Sequence, residues 1–139
     1  MRRGDVDVKK LYLAGPMTGI AQFNFPAFEA ATKDLRARGY EIISPHEQDS
    51  PAVQAAAWAS LDGRLDNGAV AGETWGQILG RDVQIVADQV EGIAFLPNWH
   101  KSRGARLEAF VGLLCGRSFF EYAANMQERD AAWVRERVL

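Results

Sequence analysis

A short apolar run that leads through a polar loop into a helix, in the second half of the chain, constrains the fold most. Residues 92–97 read Gly-Ile-Ala-Phe-Leu-Pro, and such a run stopped by proline is typical of a strand buried on both faces. After the loop, apolar residues at helical spacing predict a helix that begins at Arg103 or Gly104; they are Leu107, Phe110, Val111 and Leu114. A strand buried on both faces requires a sheet covered by helices on both sides.

The rest of the chain repeats this alternation of strand and helix. Further strands are predicted over residues 11–14, 40–43 and 117–122. Helices are predicted over residues 24–39, from residue 74 onward and over residues 124–137, the last with Met126, Trp133 and Val134 facing inward. The alternation predicts an α/β fold: one doubly wound, Rossmann- or flavodoxin-like domain with a central, mainly parallel sheet of about five strands and helices on both faces.

Residues 48–73 interrupt the alternation. Residues 55–58 favour a short helix, and Asp62-Gly63 and Asn67-Gly68 are turn signals. Structureless loops of this length are unusual in small domains, so we expect a long excursion that serves as a lid or an oligomer contact. Residues 1–9 are polar and charged, and a frayed terminus is expected there.

Composition limits the class of protein. The chain has 139 residues and is 47% hydrophobic, enough for one domain over residues 1–139 with a real core. A net charge of -2 argues against nucleic acid as the main partner, because binding a phosphate backbone needs a basic excess. The single cysteine, Cys115, lies in an apolar run and is predicted to be a buried thiol. Without an apolar leader or a run of membrane-spanning length, we expect a cytoplasmic protein with no membrane partner.

The predicted topology brings three polar loops together. The loops that follow the first three strands start at Gly15, Ser44 and Asn98, and all emerge at the carboxyl edge of the sheet, where α/β proteins bind ligands. We therefore expect them to converge with Tyr12 at the end of the first strand and with two acidic residues on the helices.

The two acidic residues are Glu108 and Asp82. Glu108 lies about one turn inside a helix, where the helix dipole favours its ionised form and free loop amides favour an anionic ligand. Asp82 occupies the apolar stripe of its helix with Trp75, Ile78, Leu79, Ile85 and Val86. A carboxylate on an inward stripe is costly unless it is paired or faces a cavity, so Asp82 is the second candidate acid.

Four runs of residues carry a resemblance to a known family. They are Tyr-Leu-Ala-Gly-Pro-Met-Thr-Gly at 12–19, Asn-Phe-Pro-Ala-Phe at 24–28, Arg81-Asp82, and Ser-Arg-Gly-Ala-Arg-Leu-Glu at 102–108. Together they resemble the nucleoside 2-deoxyribosyltransferase superfamily, over roughly residues 10–118 with 48–73 unmatched. The likeness is greatest to an uncharacterised, often phage-encoded branch. Among members of known activity, the chain is similar to the 2'-deoxynucleoside 5'-monophosphate N-glycosidases.

The resemblance implies roles for individual residues. Glu108 matches the nucleophile that attacks the anomeric carbon, Tyr12 the tyrosine that orients it, and Asp82 the acid that assists departure of the base. Ser102 and the amide of Gly104 match contacts to the 5'-phosphate. The other residues placed in the implied substrate or phosphate site are Gly15, Met17, Thr18, Gly19, Asn24, Trp99 and Arg103.

The first loop departs from the pattern of those hydrolases. Pro16 and Thr18 stand where the hydrolases have serine and arginine, so Lys101, Arg103 and Arg106 are the alternative source of positive charge for a phosphate. The resemblance also implies a homodimer or an assembly of dimers. The apolar residues around Phe110, Leu113 and Leu114 would suit such an interface, and they would equally suit a core.

The chemistry of the residues agrees with these roles. Breaking an N-glycosidic bond builds positive charge on the sugar, which a carboxylate stabilises or traps as a glycosyl ester. A buried Asp with a raised pKa is suited to protonate the departing base. Hydrolysis of a (deoxy)nucleoside 5'-monophosphate is the leading hypothesis; exchange of bases between nucleosides, or non-catalytic binding of a nucleotide, are the alternatives.

Structural roles compete with each assignment. Glu108 would otherwise be an ordinary first-turn glutamate, Tyr12 a packed strand residue, and Asp82 a core acid paired with Arg81 or Arg106. Trp75 is expected in the core, whereas Trp99 is open to either role. Two histidines and one cysteine without ligand spacing do not predict a metal site, and the hypothesis needs no cofactor.

Overall fold

The computed structural model describes residues 9–64, 69–70 and 73–139. The strands are β1 (Lys10–Ala14), β2 (Glu41–Ile43), β3 (Ala69–Val70), β4 (Glu73–Thr74), β5 (Gly92–Phe95), β6 (Ser118–Glu121) and β7 (Gln127–Arg129). The helices are α1 (Phe25–Ala37), α2 (Pro45–Gln48), α3 (Pro51–Ala59), α4 (Trp75–Asp88), α5 (Arg103–Leu114) and α6 (Ala131–Val138). Two short 3₁₀ turns cover Ala21–Asn24 and Trp99–Lys101.

The central sheet has the strand order β2-β1-β5-β6-β7. All neighbours are parallel except β7, which runs antiparallel to β6. This order is that of flavodoxin-like folds, in which the chain changes direction across the sheet between β1 and the next parallel strand. The predicted Rossmann-like α/β architecture with a five-stranded, mainly parallel sheet is confirmed.

Alternation along β1 assigns its side chains to two cores. Leu11 and Leu13 are buried on the face covered by α1, where they join Phe28 and Leu35. Tyr12 faces the other side, in the core that α4, α5 and α6 cover. Because side chains of a strand alternate between faces, Tyr12 reaches the same side as the two acidic residues of α4 and α5.

Polar caps start the two helices that carry those acids. The Ser102 hydroxyl accepts a hydrogen bond from the backbone N–H of Ala105 at 3.2 Å and begins α5. Thr74 and Gln77 form a reciprocal capping box at the start of α4. Both helices therefore start where the sequence predicts.

The C-terminal segment differs from the sequence prediction of a helix over residues 124–137. Residues 127–129 instead form β7, which pairs with β6 through Phe119 opposite Arg129. The helix starts only after Asp130, whose carboxylate accepts the N–H of Trp133 at 2.9 Å. Met126 accordingly packs against the core from the loop before β7, while Val134 is buried in α6 as predicted.

The buried face of α5 also differs from the prediction. Its buried residues are Ala105, Glu108, Ala109 and Gly112, whereas Leu107, Phe110 and Leu114 are exposed. A Cβ on Gly112 would lie 2.8 Å from Ile93 Cδ1, so small residues bring this helix close to the sheet. Larger apolar side chains do not fit at such a distance and turn outward. Cys115, predicted to be buried, is exposed at the end of the same helix.

The described part of the excursion after β2 contains regular secondary structure. It supplies the nine-residue α3, which includes the predicted short helix at 55–58. The N–H of Gln22 donates to Ser60 O at 2.8 Å, and that of Gly19 donates to Gly63 O at 2.8 Å, so the segment packs against the first loop. The β3–β4 hairpin follows, and the predicted turn at Asn67-Gly68 lies outside the described residues.

Across the described parts of the chain, every helix is too short or too polar to cross a bilayer.

Candidate active site

A cleft of about 780 Å³ opens at the carboxyl edge of the sheet, beside β1 and β5. Loops after β1, β2 and β5 all contribute to its lining, as the topology predicts. Gly15, Pro45 and Asn98 represent the three loops, and Asp82 and Glu108 reach the cleft from α4 and α5. The volume is in the range of sites that enclose small molecules.

A hydrogen bond between Tyr12 and Glu108 lies at the base of the cleft. The Tyr12 hydroxyl donates to Glu108 Oε2 at 2.8 Å. Tyr12 is fully buried, and Glu108 is 6% exposed at the cleft surface. The bond joins the central strand to the first turns of α5 and fixes the carboxylate, so one oxygen is held while the other remains available for chemistry.

Asp82 is held by an arginine that also binds a third acid. Arg81 Nη2 and Nε donate to Asp82 Oδ1 at 2.8 and 3.0 Å. Arg81 Nη1 donates to Asp49 Oδ1 at 2.9 Å. Asp82 is therefore ion-paired with Arg81, one of the structural partners considered for it, and it also lines the cleft.

Burial shifts the pKa values of the site upward. Removal from water raises the pKa of Asp82 to about 6, against the opposing effect of Arg81. Burial, reinforced by the charge of Asp82, raises the pKa of Glu108 well above its usual value. Burial thus opposes the ionised form of Glu108 that the helix dipole was predicted to favour. Tyr12 also has a strongly raised pKa, mainly through burial, and stays a hydrogen-bond donor.

The start of α5 forms the cationic end of the cleft. Lys101, Ser102, Arg103 and Gly104 all line it. The first N–H groups of a helix have no intrahelical acceptor and favour an anion. Because the Ser102 hydroxyl already caps the helix, the unused donors are the amides of Arg103 and Gly104. Arg106, proposed as a further cation, is not among the cleft residues, and its Nε is buried without a hydrogen-bond partner in the described structure.

The first loop contributes to the cleft unevenly. Gly15, Met17 and Thr18 line it, and a Cβ on Gly15 would lie 2.8 Å from Leu96 Cβ, so glycine permits a close approach to the β5 loop. Gly19 is not brought to the cleft; it has φ +84° and donates to Gly63 O. Asn24 braces the loop instead, because its Nδ2 donates to Pro16 O at 2.9 Å.

One tryptophan is buried beside β5 and another lines the cleft. Trp99 is 3% exposed, and its ring stacks on Phe95 with centroids 4.0 Å apart, so the prediction of a substrate contact is corrected. Trp75, expected in the core, is 47% exposed and lines the cleft. Its ring lies 5.7 Å from the guanidinium of Arg103, a cation–π contact that positions the charge near the helix start.

Sequence reasoning missed one side of the cleft. We call this side the apolar wall, and it consists of Ile20, Phe23, Phe25, Val53 and Ala57. The wall joins the first loop to α3. Sequence periodicity does not predict a contact between these two segments. Asp49, which lies next to this wall in the chain and lines the cleft, was also missed. Its position in the loop after β2 could have revealed it, because that loop was predicted to reach the same edge.

The raised pKa of Glu108 predicts a pH-dependent cost in stability. At a pH near 4 the carboxyl is protonated in both states; as the pH rises past 4.5 the unfolded chain releases its proton while the folded chain retains it. The folded state therefore loses stability with rising pH. We expect Glu108→Gln to unfold at a higher temperature than the parent at about pH 8, with the difference vanishing near pH 4.

Thermal unfolding followed by circular dichroism across this pH range tests the expectation. Glu41→Gln, on an exposed residue of β2, is the matched control and should show no such trend. A destabilising effect of Glu108→Gln at pH 8 would contradict it.

Comparison with known proteins identifies a family. A family model described as "Domain of unknown function (DUF4406)" matches residues 9–121. No curated protein and no solved structure shows significant similarity to the chain. The matched region contains the whole cleft described above, from β1 to the end of α5. Since it also covers well over half of the sequence, the chain belongs to the DUF4406 family.

Proposed function

We propose that this protein is an N-glycosidase that hydrolyses the base–sugar bond of a 2'-deoxynucleoside 5'-monophosphate, with Glu108 as the nucleophile. The observation that carries the proposal is the buried hydrogen bond from Tyr12 to Glu108 at the base of a cleft that also contains Asp82. A structural glutamate would not need a cleft, a buried tyrosine donor and a second buried acid together. Perturbed acids that meet in a cleft are characteristic of catalytic sites.

The proposed reaction has two steps. In the first, a Glu108 oxygen attacks the anomeric carbon, the bond from that carbon to the base nitrogen breaks, and its electron pair leaves with the base. Asp82 gives its proton to the departing base. In the second, water attacks the glycosyl ester and restores the Glu108 carboxylate, while the Asp82 carboxylate accepts the proton of the water. The first step needs Glu108 ionised and Asp82 protonated, so of the two singly protonated forms of this pair only the one with the proton on Asp82 reacts. The hydrogen bond from Tyr12 favours that form, because it lowers the pKa of Glu108 against the effect of burial.

The cationic end of the cleft supports a phosphorylated substrate. Lys101 and Arg103 supply positive charge beside the amides at the start of α5. Glu108 lies on the same helix, somewhat more than one turn further along, and a helix rises about 5.4 Å per turn. A 5'-phosphate at the helix start would therefore place its sugar next to Glu108.

A chromatographic screen against the common ribo- and deoxyribonucleoside monophosphates tests the proposal. Free base and sugar phosphate are the expected products from at least one nucleotide. Addition of a second free base distinguishes transfer from hydrolysis, because a transferase would form a new nucleotide. If every nucleotide remained intact although it bound tightly, the site would be a binding site and the proposal would be wrong.

The exposed apolar face of α5 supports assembly into a homodimer, which the resemblance also implies. Leu107, Phe110 and Leu114 follow each other at helical spacing and are 39%, 42% and 72% exposed. Trp75 of the neighbouring helix is also exposed. Contiguous exposed apolar surface marks interaction sites, and this surface adjoins the cationic end of the cleft through the contact of Trp75 with Arg103.

Disruption of this face should separate the subunits. We expect Leu114→Glu to weaken dimerisation at least about tenfold, because each subunit would place a charge in an apolar contact. Sedimentation velocity at micromolar concentration measures the effect. Leu61→Glu, on a leucine that is 92% exposed in a loop, is the control and should leave the dimer intact. If the parent protein sedimented only as a monomer, the proposed homodimer would be wrong.

The single cysteine supports a cytoplasmic location for the proposed activity. Cys115 is free and exposed, and exposed thiols persist in reducing compartments. We therefore place the proposed activity in the cytoplasm.

A further inference from the structure

Arg81 connects the acid proposed to protonate the base with a second cleft acid. Its guanidinium donates to Asp82 on α4 and to Asp49, which follows α2. It also reaches Pro45 O at 3.5 Å. Arg81 is not among the cleft residues, whereas both aspartates are. The arginine thus holds two carboxylates at the cleft surface, and each of its three side-chain nitrogens donates a hydrogen bond.

Asp49 retains acceptor capacity toward the cleft. Its side chain is 8% exposed, and Arg81 binds one of its oxygens, Oδ1. A carboxylate has about four lone-pair sites, so a single donor leaves room for hydrogen bonds from a ligand. Asp49 therefore offers acceptors, and no donor when ionised.

Asp49 adjoins the part of the apolar wall that belongs to α3, since Gln54 Nε2 of that helix donates to Asp49 O at 2.8 Å. Val53 and Ala57 belong to α3, which follows Asp49 directly in the chain, and Phe23 is joined to α3 by the bond from Gln22 to Ser60. Such a wall accommodates the face of a planar, weakly polar ring. An acceptor at the edge of an apolar surface suits a nucleobase, which has an apolar face and a polar edge.

The order of groups along the cleft assigns this region to the base. The cationic end at residues 101–104 adjoins Trp75 and Leu79, since Arg103 contacts Trp75 and a Cβ on Gly104 would lie 3.8 Å from Leu79. Asp82 follows further along α4, and Asp49 lies beyond it across Arg81. With a phosphate at the first position and the sugar at Glu108, the base extends toward Asp82 and Asp49.

We propose that Asp49 is a specificity-determining residue that selects bases with an amino group on their pairing edge. This inference rests on the function proposed above and names its substrate class: nucleotides of cytosine, adenine or guanine in preference to those of uracil, thymine or hypoxanthine. Amino groups donate to a carboxylate, whereas a carbonyl at the same position would place two acceptors against each other. Sites built for a particular donor discriminate strongly against analogues that lack it.

Matched pairs of nucleotides test the selection. Deoxycytidine and deoxyuridine monophosphates differ only at one edge, as do deoxyadenosine and deoxyinosine monophosphates; deoxyguanosine and deoxyinosine monophosphates form a third pair. We expect the protein to prefer the amino-bearing member of at least one pair by about tenfold or more in kcat/KM. Asp49→Asn keeps an oxygen for Arg81 but presents a donor as well, and should reduce that preference to within about threefold.

Controls separate specificity from folding. Glu47→Gln changes a neighbouring acid that pairs with Arg36 and is not among the cleft residues, so it should retain the preference of the parent. Asp49→Ser removes the carboxylate with a smaller side chain and serves if the asparagine variant does not fold. Asp49→Asn and Asp49→Ser should each lower the ratio of kcat/KM between the paired substrates.

The outcomes distinguish the inference from the function on which it rests. Base release without an amino preference, or with one that Asp49→Asn leaves unchanged, would overturn the inference and leave the hydrolase standing. If no base is released, calorimetry with the same pairs decides. An amino preference in binding that depends on Asp49 would support the inference while overturning the hydrolase, and absence of binding would overturn both.

Discussion

Replacing Glu108 with glutamine is expected to slow base release by at least about 10⁴-fold. The amide matches the carboxylate in shape and can still contact the Tyr12 hydroxyl, so the variant should fold. It cannot form a glycosyl ester, however, and it does not stabilise the positive charge that builds on the sugar. The effect is large because the carboxylate acts only on the reacting carbon, and binding of the nucleotide should change little.

Single-turnover measurements with excess protein isolate this step from product release. Glu41→Gln is the control, since Glu41 is exposed on β2 and is not a cleft residue. Equal rates for Glu108→Gln and the parent would show that the nucleophile has been misassigned. A rate lost together with nucleotide affinity would instead indicate a binding role.

Replacing Asp82 with asparagine is expected to lower the rate by about 10²- to 10⁴-fold near pH 6. Burial raises the pKa of Asp82 to about 6 and the pKa of Glu108 well above its usual value, so the parent loses the last proton of this pair, the one that Asp82 must donate, only as the pH rises past both pKa values. Its rate should therefore fall about tenfold per pH unit on the alkaline side. The variant has no proton to lose at this position, and that alkaline decline should disappear.

A substrate that needs no proton makes the test specific for acid catalysis. The base of 7-methyldeoxyguanosine monophosphate already carries a positive charge and leaves without protonation. Asp82→Asn should slow its release far less than that of the unmethylated nucleotide. An equal loss with both substrates would show that Asp82 positions the sugar or Glu108 and does not supply a proton.

Burial of Asp82 and Glu108 costs the fold stability, and a purely structural role would not explain that cost. Each is nearly buried, at 5% exposure for Asp82 and 6% for Glu108, and burial raises the pKa of each. Apolar residues at these positions would stabilise the fold more. Two buried acids beside an accessible cleft are the arrangement expected of the catalytic site proposed above.

Local patterns predicted the elements that carry these acids. The spacing of apolar residues predicted helix starts at Arg103 or Gly104 and near residue 74, and Ser102 and Thr74 cap the helices observed. The short apolar runs around β1 and β5 predicted buried parallel strands, and their order predicted the edge at which the loops meet. Periodicity predicted the wrong element at residues 127–129. These residues form backbone hydrogen bonds with β6, and a helical pattern in the sequence does not reveal such pairing.

The sequence by itself determined the parallel strands of the sheet, their order along the chain and the candidate residues of the site, because residue type, spacing and strand order are local properties. Only the tertiary structure decided which side chains are buried. Gly112 permits α5 to approach the sheet, so Glu108 turns inward while Leu107 and Phe110 turn outward. It also decided that Arg81 joins Asp49 to Asp82, because contacts between distant segments depend on packing. Burial, and with it the pKa of each acid, is a property of the folded chain.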